Sequence, residues 1–157
     1  MTLSAWIWVA TASYALHMLE EYQLDWRDWA RNVIGLPVEW GDFYVTNAIV
    51  VVLGFVAAHI ASAQPALALT FPALMLINAT FFHVLPFAWT KGRFSPGLFT
   101  AVILFYPVGL GCYLGAAVDG LLDTGAAVIS FGLGALLMAF PIVLIRIRSH
   151  PYFRQNY

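Results

Sequence analysis

The sequence predicts an all-α fold, a polytopic bundle of about five transmembrane helices with one amphipathic helix at the membrane interface. Of the 157 residues, 62% are hydrophobic and 10% are charged, which is far outside the range of soluble globular proteins. Apolar runs of the length that crosses a hydrocarbon core, about 20 residues, recur along the chain. We therefore expect residues 1–157 to form a single integral membrane domain.

Five runs qualify as spans, near residues 3–21, 44–63, 66–89, 98–118 and 125–147. No basic residue precedes the first run, so we interpret it as a retained span rather than a secretory signal peptide. Residues 23–40 interleave tryptophans with aspartates and arginines, a pattern typical of an amphipathic interfacial helix or of a tryptophan-rich membrane anchor. Gly111 and Gly115 have the spacing that lets two helices approach closely.

The basic residues indicate how the bundle is oriented. They follow the first, third and fifth spans: Arg27, Arg31, Lys91, Arg93, Arg146, Arg148 and Arg154. With five spans these places all lie on one side of the membrane, whereas an even number of spans would scatter them. The positive-inside bias makes that side cytoplasmic. We therefore expect a protein of the inner (cytoplasmic) membrane with its N-terminus outside and its C-terminus in the cytoplasm.

Charge, cysteine content and repeats exclude several classes of function. The net charge is −1 and the chain has no basic run, so no nucleic acid partner is expected. The lone Cys112 cannot form an intramolecular disulfide and lies in an apolar stretch, where a small buried residue is typical. The sequence has no internal repeat, which disfavours an inverted-repeat transporter.

The end of the first span carries the most informative polar residues. His17, Glu20 and Glu21 are spaced i, i+3 and i+4, so on a helix they share one face, with Tyr14 one turn earlier. Two adjacent carboxylates at low dielectric are stable only if one keeps its proton or a cation neutralises them. The alternative is that both glutamates reach into water and pair with the arginines that follow.

Other polar residues fall at a similar depth. His83 lies about 9 Å below the cytoplasmic end of the third span, where it could be a fourth ligand, an acid/base partner or a simple interhelical hydrogen-bond partner. Asn47 lies shallowly on the same side. Asn78 precedes His83 by five residues, about 140° around an α-helix, and so need not share its face. His59 and Asp119 lie at the opposite ends of their spans, away from any shared site.

Three short segments stand in a fixed order along the chain: HMLEE at 17–21, NATFFH at 78–83 and FSPG at 94–97. This arrangement resembles the HXXEE-domain family of small bacterial and archaeal membrane proteins. The family pattern has a Tyr-x-Pro-Gly turn, and here Phe94 replaces the tyrosine. The resemblance implies that these residues act together, without naming a reaction.

The leading hypothesis is a metal-dependent membrane enzyme. We expect His17, Glu20, Glu21 and His83 to be catalytic residues and ligands of a divalent metal, zinc or iron, because imidazoles and carboxylates suit both ions. Metal-activated water would attack an ester, amide or phosphoester of a membrane lipid or other lipophilic small molecule, so a hydrolase is favoured over an oxidoreductase. Asn78, Asn47 and Tyr14 are expected to bind substrate or to orient the ligands.

Two alternatives remain open. A metal-free isomerase or cyclase would use Glu20 or Glu21 as a proton donor to an isoprenoid-like substrate and a histidine as the base. A non-catalytic protein would bind a lipid, a cation or a partner subunit through the same cluster. A homo-oligomer could build a pathway at its interface.

Overall fold

The computed structural model describes residues 1–153, which contain helices and no strand. Six helices form the bundle: α1 Leu3–Gln23, α2 Trp26–Val33, α3 Trp40–Ile60, α4 Pro65–Trp89, α5 Leu98–Val118 and α6 Thr124–Ser149. A short 3₁₀ turn, Pro151–Phe153, follows α6. The predicted all-α fold is confirmed. Arg154, which belongs to the predicted basic face, lies outside the described residues.

Within the described residues, four helices are long and apolar enough to cross a membrane, namely α3, α4, α5 and α6. Helix α1 is equally long, 21 residues, but it carries the polar residues His17, Glu20 and Glu21. His17 and Glu21 are buried inside the bundle, so the other helices shield these two side chains from lipid. The polytopic bundle is therefore confirmed.

The helix bounds follow the predicted spans closely except at α3. We expected that span to begin near residue 44, because the count of apolar residues omits the polar start of the helix. Asp42 accepts a hydrogen bond from the backbone N–H of Glu39 at 2.9 Å, which satisfies a donor at the N-terminus. The helix therefore begins at Trp40 and ends at Ile60.

The basic residues gather at one end of the bundle, which we call the basic end. Arg148 donates two hydrogen bonds to Asp42, at 2.6 and 2.9 Å, and so ties the C-terminus of α6 to the N-terminus of α3. Arg146 donates to the backbone oxygen of Gly35 at 3.0 Å. At the opposite end, Asp119 accepts from the backbone N–H of Leu3, so α1 and α5 run antiparallel.

Helix α2 is the amphipathic helix at the basic end. It buries Trp29 and Ala30 against Leu36, Val38 and Ile145, while Arg31 and Asn32 are exposed. Arg27 donates to the side chain of its neighbour Asp28, and this hydrogen bond lowers the pKa of the Asp28 carboxyl. The helix thus covers the apolar interior with one face and presents its charges outward.

Small residues let α1 pack at the centre of the bundle. A Cβ on Gly111 or Gly115 of α5 would lie 2.6 Å from ring atoms of Trp6, and one on Gly54 of α3 would lie 2.6 Å from Thr11 Oγ1. These approaches are closer than any side chain permits. The glycines therefore allow both neighbouring helices to contact α1 directly, as the small-residue spacing on α5 predicts.

Two helices widen into π-helical turns beside the buried histidines. Ala79–Val84 in α4 and Ala101–Phe105 in α5 have this form, which is frequent at functional sites. Pro86 has no N–H to donate to the oxygen of Phe82, and the Ser95 hydroxyl donates to that oxygen instead, at 3.2 Å. The proline thereby leaves a carbonyl free to anchor the loop after α4.

We expect Gly111→Leu to destabilise the bundle because the new side chain must displace the rigid ring of Trp6. Overpacking of this kind costs about 1–3 kcal/mol, which corresponds to several degrees in melting temperature for a protein of this size. Thermal unfolding of the detergent-purified protein measures the change. Gly132→Leu is the matched control, since nothing lies within 4 Å of a Cβ at Gly132. Equal melting temperatures for the two variants would contradict the packing described for α1 and α5.

Candidate metal centre

Three buried side chains converge between α1 and α4. The Nε2 atom of His17 lies 3.5 Å from Oε1 of Glu21, and the Nε2 atom of His83 lies 3.6 Å from the same oxygen. Ligand atoms from the three residues all lie within 4.8 Å of one another. Ligand atoms around a tetrahedral ion with bonds of about 2.0–2.1 Å are separated by about 3.4 Å. The two nitrogen–oxygen distances therefore suit a shared divalent ion.

The hydrogen bonds of His17 favour a proton on Nδ1, which leaves Nε2 able to bind a cation. Thr100 Oγ1 lies 2.8 Å from His17 Nδ1 and 2.6 Å from a carboxylate oxygen of Glu20. The Thr100 hydroxyl donates its single proton to the short, charge-assisted hydrogen bond with Glu20. Its oxygen therefore accepts from Nδ1–H of His17. His17 Nε2 is then a lone pair, and it is buried with no hydrogen-bond partner among residues 1–153.

This lone pair and the Glu21 carboxylate face each other at a distance at which two acceptors repel. Both side chains are almost completely buried, with 1% and 6% of their surface exposed. A buried carboxylate costs several kcal/mol unless a positive group compensates it. The arrangement therefore requires a proton or a metal ion between them.

Glu20 has a different position from Glu21. Its carboxylate accepts hydrogen bonds from the backbone N–H groups of Gly97, Phe99 and Thr100, at 2.8–3.2 Å, as well as from the Thr100 hydroxyl. It thus occupies the positive N-terminus of α5. Its two oxygens accept from four donors. Glu20 therefore contacts the cluster indirectly, through the Thr100 hydroxyl that is hydrogen-bonded to His17. The expectation that Glu20 is itself a ligand has no geometric support here, because its oxygens are committed to α5.

His83 is held by two neighbours. Its Nδ1 lies 3.0 Å from Ser95 Oγ, and its Nε2 lies 3.1 Å from Asn78 Oδ1. Because the Ser95 hydroxyl donates to the Phe82 oxygen, its oxygen accepts from Nδ1–H of His83, and a neutral ring then has Nε2 free to bind a metal. If Nε2 is also protonated and donates to Asn78, the ring is an imidazolium beside Glu21.

Asn78 and His83 come together because of the π-helical turn. On an α-helix, five residues separate two side chains by about 140°, whereas a π-helix completes a turn in close to that number. The expectation that Asn78 need not share the face of His83 is therefore wrong. The widened turn brings its carboxamide onto the imidazole.

Gly97, in the loop before α5, covers the imidazoles of His17 and His83. Its φ is +95°, a left-handed conformation that favours glycine. A Cβ at this position would lie 2.6 Å from Cε1 of His83 and 2.7 Å from Cε1 of His17. The loop backbone can therefore pass directly over both imidazoles only with a glycine at this position.

A cavity of about 90 Å³ borders the cluster on the side of Glu21. Tyr14, Asn47 and Asn78 also line it, and the Tyr14 hydroxyl donates to Asn47 Oδ1 at 2.8 Å. The space exceeds what a single water molecule needs. Of the metal-ligand candidates, Glu21 is the one that reaches both the imidazoles and the cavity.

Residues 8–112, more than half of the chain, match the model of a protein family described as "Protein of unknown function with HXXEE motif". The chain belongs to this HXXEE family. No curated protein and no solved structure matches the chain. The matched range contains every residue of the cluster and the loop that covers it.

The residues of the HXXEE motif thus have two different positions. His17 and Glu21, one helical turn apart, point into the cluster, and Glu20 points to the N-terminus of α5. Sequence reasoning omitted Thr100, and it linked Ser95 and Gly97 to the motif only through the family resemblance. The FSPG segment was a signal for the latter two, since a loop that recurs with the motif is expected to meet it. Nothing in the sequence singles out Thr100.

We expect Glu20→Gln to lower the free energy of unfolding by about 1–3 kcal/mol, because an amide replaces a charge that accepts from four donors. Chemical or thermal unfolding in detergent measures the loss. Glu39→Gln is the control, since Glu39 is half-exposed and its surface ion pairs with Arg27 and Arg31 contribute less than about 1 kcal/mol. A smaller effect at Glu20 than at Glu39 would contradict the capping role.

We expect Thr100→Val to change the tautomer of His17, because Nδ1–H loses its acceptor and the proton moves to Nε2, toward Glu21. The ¹⁵N chemical shifts of the imidazole, assigned with a His17→Gln variant, distinguish the two tautomers. Thr100→Ser keeps the hydroxyl and should preserve the Nδ1–H form. An Nδ1–H tautomer in both variants would show that Thr100 does not orient the ring.

Proposed function

We propose that this protein is a metal-dependent membrane enzyme that acts on a lipophilic substrate, most simply as a hydrolase. The observation that supports this best is the unpartnered lone pair of His17 Nε2, which faces a buried carboxylate and a second imidazole. Two histidines and one glutamate are a ligand set of catalytic zinc sites that keep a position open for water. Iron is also compatible with these ligands.

The proposed chemistry needs one group to reach both the metal and the substrate. A divalent ion at this position would supply Lewis acidity and lower the pKa of a bound water. Glu21 lines the cavity, so its carboxylate could also accept the proton of the attacking water. The water oxygen would bond to the acyl carbon of an ester, the bond between that carbon and the alcohol oxygen would break, and the leaving alcohol would take up the proton that Glu21 had accepted from the water.

The hydroxyls of Thr100 and Ser95 support this role. Ligating histidines in metalloproteins usually donate their second N–H to an oxygen, which sets the tautomer and the orientation of the ring. Thr100 is such a partner for His17, and Ser95 can be one for His83. Glu20 would extend the first of these pairs to a chain of carboxylate, hydroxyl and imidazole.

We also propose that the site lies near the cytoplasmic face of the inner membrane. The cluster is at the same end of the bundle as Arg27, Lys91 and Arg148, and basic residues are enriched on cytoplasmic sides. With α1 counted as a span, the N-terminus is outside and the C-terminus is in the cytoplasm. Water would then reach the site from the cytoplasm, and substrate from the bilayer.

A metal-free acid/base enzyme is the second candidate, and the contact between Asn78 Oδ1 and His83 Nε2 favours it. A carbonyl oxygen accepts only from a protonated nitrogen, so this contact favours a proton on Nε2. With Nδ1–H donating to Ser95, His83 would be an imidazolium beside Glu21. Such a pair could exchange a proton with an isoprenoid-like substrate.

Elemental analysis of the detergent-purified protein decides between the two candidates. We expect about one zinc or iron ion per chain in the wild type, and at least a tenfold loss in Glu21→Gln and His83→Ala variants that remain folded. His59→Ala is the control, because His59 is exposed at the opposite end of α3. A wild type without metal, even after reconstitution with zinc, iron or manganese, would contradict the metal enzyme and favour the acid/base candidate.

Turnover then separates an enzyme from a binding protein. Metal-loaded wild type should hydrolyse a long-chain ester in mixed micelles, and Glu21→Gln should lose this activity while His59→Ala retains it. Stoichiometric metal without turnover of ester, amide or phosphoester lipids would contradict the hydrolase.

A further inference from the structure

A long apolar groove separates α3 from α6. Its volume is about 890 Å³, and it extends from Glu39, Asp42 and Arg148 at the basic end to Leu53 and Phe140 in the middle of the bundle. A second apolar depression of about 430 Å³ continues it toward Ile60 and the opposite end. Leu53, Leu137 and Phe140 line both. In a bilayer, hydrocarbon fills such a groove.

The groove adjoins the cavity that borders Glu21. Seven residues line both spaces: Asp42, Thr46, Val50, Leu74, Leu137, Pro141 and Ile145. A hydrocarbon chain that lies between α3 and α6 can therefore place one end beside Glu21 without leaving the bilayer. The rest of the chain remains among apolar side chains, where its burial is favourable.

The polar groups of the cavity determine which chemical group the lipid can carry at the end beside Glu21. Within residues 1–153, the lining contains two carboxylates, Glu21 and Asp42, and no lysine, arginine or histidine. The side chain of Arg148, at the mouth of the groove, is bound by Asp42 through both of its terminal nitrogens. An anionic group such as a phosphate would therefore enter an acidic, poorly hydrated space, at a high electrostatic cost.

An unpaired donor indicates an oxygen on the ligand. Trp26 lines the cavity, and its indole N–H is buried without a hydrogen-bond partner among the described residues. A buried N–H of this kind is normally satisfied by an acceptor. An ammonium group offers none, whereas a hydroxyl, an aldehyde or an ester does.

From this shared lining and the polar groups of the cavity we infer that the groove between α3 and α6 admits a single-chain, uncharged, oxygen-bearing lipid, and that its oxygen-bearing end binds in the cavity beside Glu21. The inference rests on the proposed function in one respect: it takes Glu21 to be the residue at which the oxygen-bearing end of the lipid reacts. It names the substrate class as a neutral long-chain ester, with the matching alcohol as a product.

Photolabelling with a hexadecanol that carries a mid-chain diazirine tests the inference on the full chain in detergent micelles, after metal removal with EDTA. We expect adducts on groove residues such as Val45, Ile49 and Leu144, found by peptide mass spectrometry. Unlabelled hexadecanol should compete for these adducts, and hexadecyl phosphate should compete at least about tenfold less well, since unpaired burial of charge is costly.

Blocking the groove provides the matched comparison. Ile49→Trp fills it and should reduce labelling about tenfold, because at least two methylenes lose their burial. Leu144→Trp blocks it from α6 and should act similarly. Ile103→Trp is the control, since Ile103 on α5 is 65% exposed and Ile49 is 63% exposed, so each tolerates a larger side chain.

The outcomes separate this inference from the proposed function. Labelling that is equal on all lipid-facing helices, unchanged by Ile49→Trp, or competed equally by hexadecyl phosphate overturns the groove or its selectivity, even if the protein binds metal. Labelling that follows the expected pattern in a protein that binds no metal supports the groove and leaves the metal enzyme contradicted. Because labelling is done without metal, neither result depends on the other.

Discussion

The carboxylate of Glu20 at the N-terminus of α5 is the interaction on which the site depends. Three backbone N–H groups at that terminus have no partner within their own helix, and inside a membrane bundle little water is present to satisfy them. Glu20 satisfies them from α1 and so joins the first helix to the fifth. The same carboxylate accepts the hydrogen bond that the Thr100 hydroxyl donates, so the Thr100 oxygen can only accept from His17. A structural cap thereby determines which nitrogen of His17 is free.

The two adjacent glutamates avoid mutual repulsion by pointing to different partners. Glu20 is compensated by the helix N-terminus, whose positive potential favours an anion. Among the described residues, Glu21 has the two imidazoles as its ion-pair partners, so we expect its charge to be compensated by a proton or a metal ion on them. The loop from Ser95 to Gly97 encloses this group, because its glycine leaves room for both rings and its serine holds His83. The polar site is therefore closed on the loop side, and Glu21 borders the cavity that residues of α2, α3 and α6 line.

Much of the fold could be predicted from the sequence. Four of the five predicted spans begin within one residue of the observed helices, since hydrophobic length is dictated by membrane thickness. The exception is α3, whose polar first turn hides its start from a count of apolar residues. His17, Glu21 and His83 could be placed at one depth because span length converts directly into distance along the membrane normal. The contact between Asn78 and His83 could not be predicted, because the residues between them give no indication of a π-helical turn.

The sequence by itself determined that the chain is a helical membrane bundle, that its basic residues share one end, and that the HXXEE motif and His83 lie at a similar depth near that end. These conclusions depend on periodicity and hydrophobic length, which are local properties. Only the tertiary structure decided which glutamate joins the histidines, which hydroxyls orient them, and where a lipid chain could approach. Those outcomes depend on contacts between residues such as Glu20 and Thr100, which are 80 positions apart, and no local pattern encodes which donors a side chain will find when the helices pack.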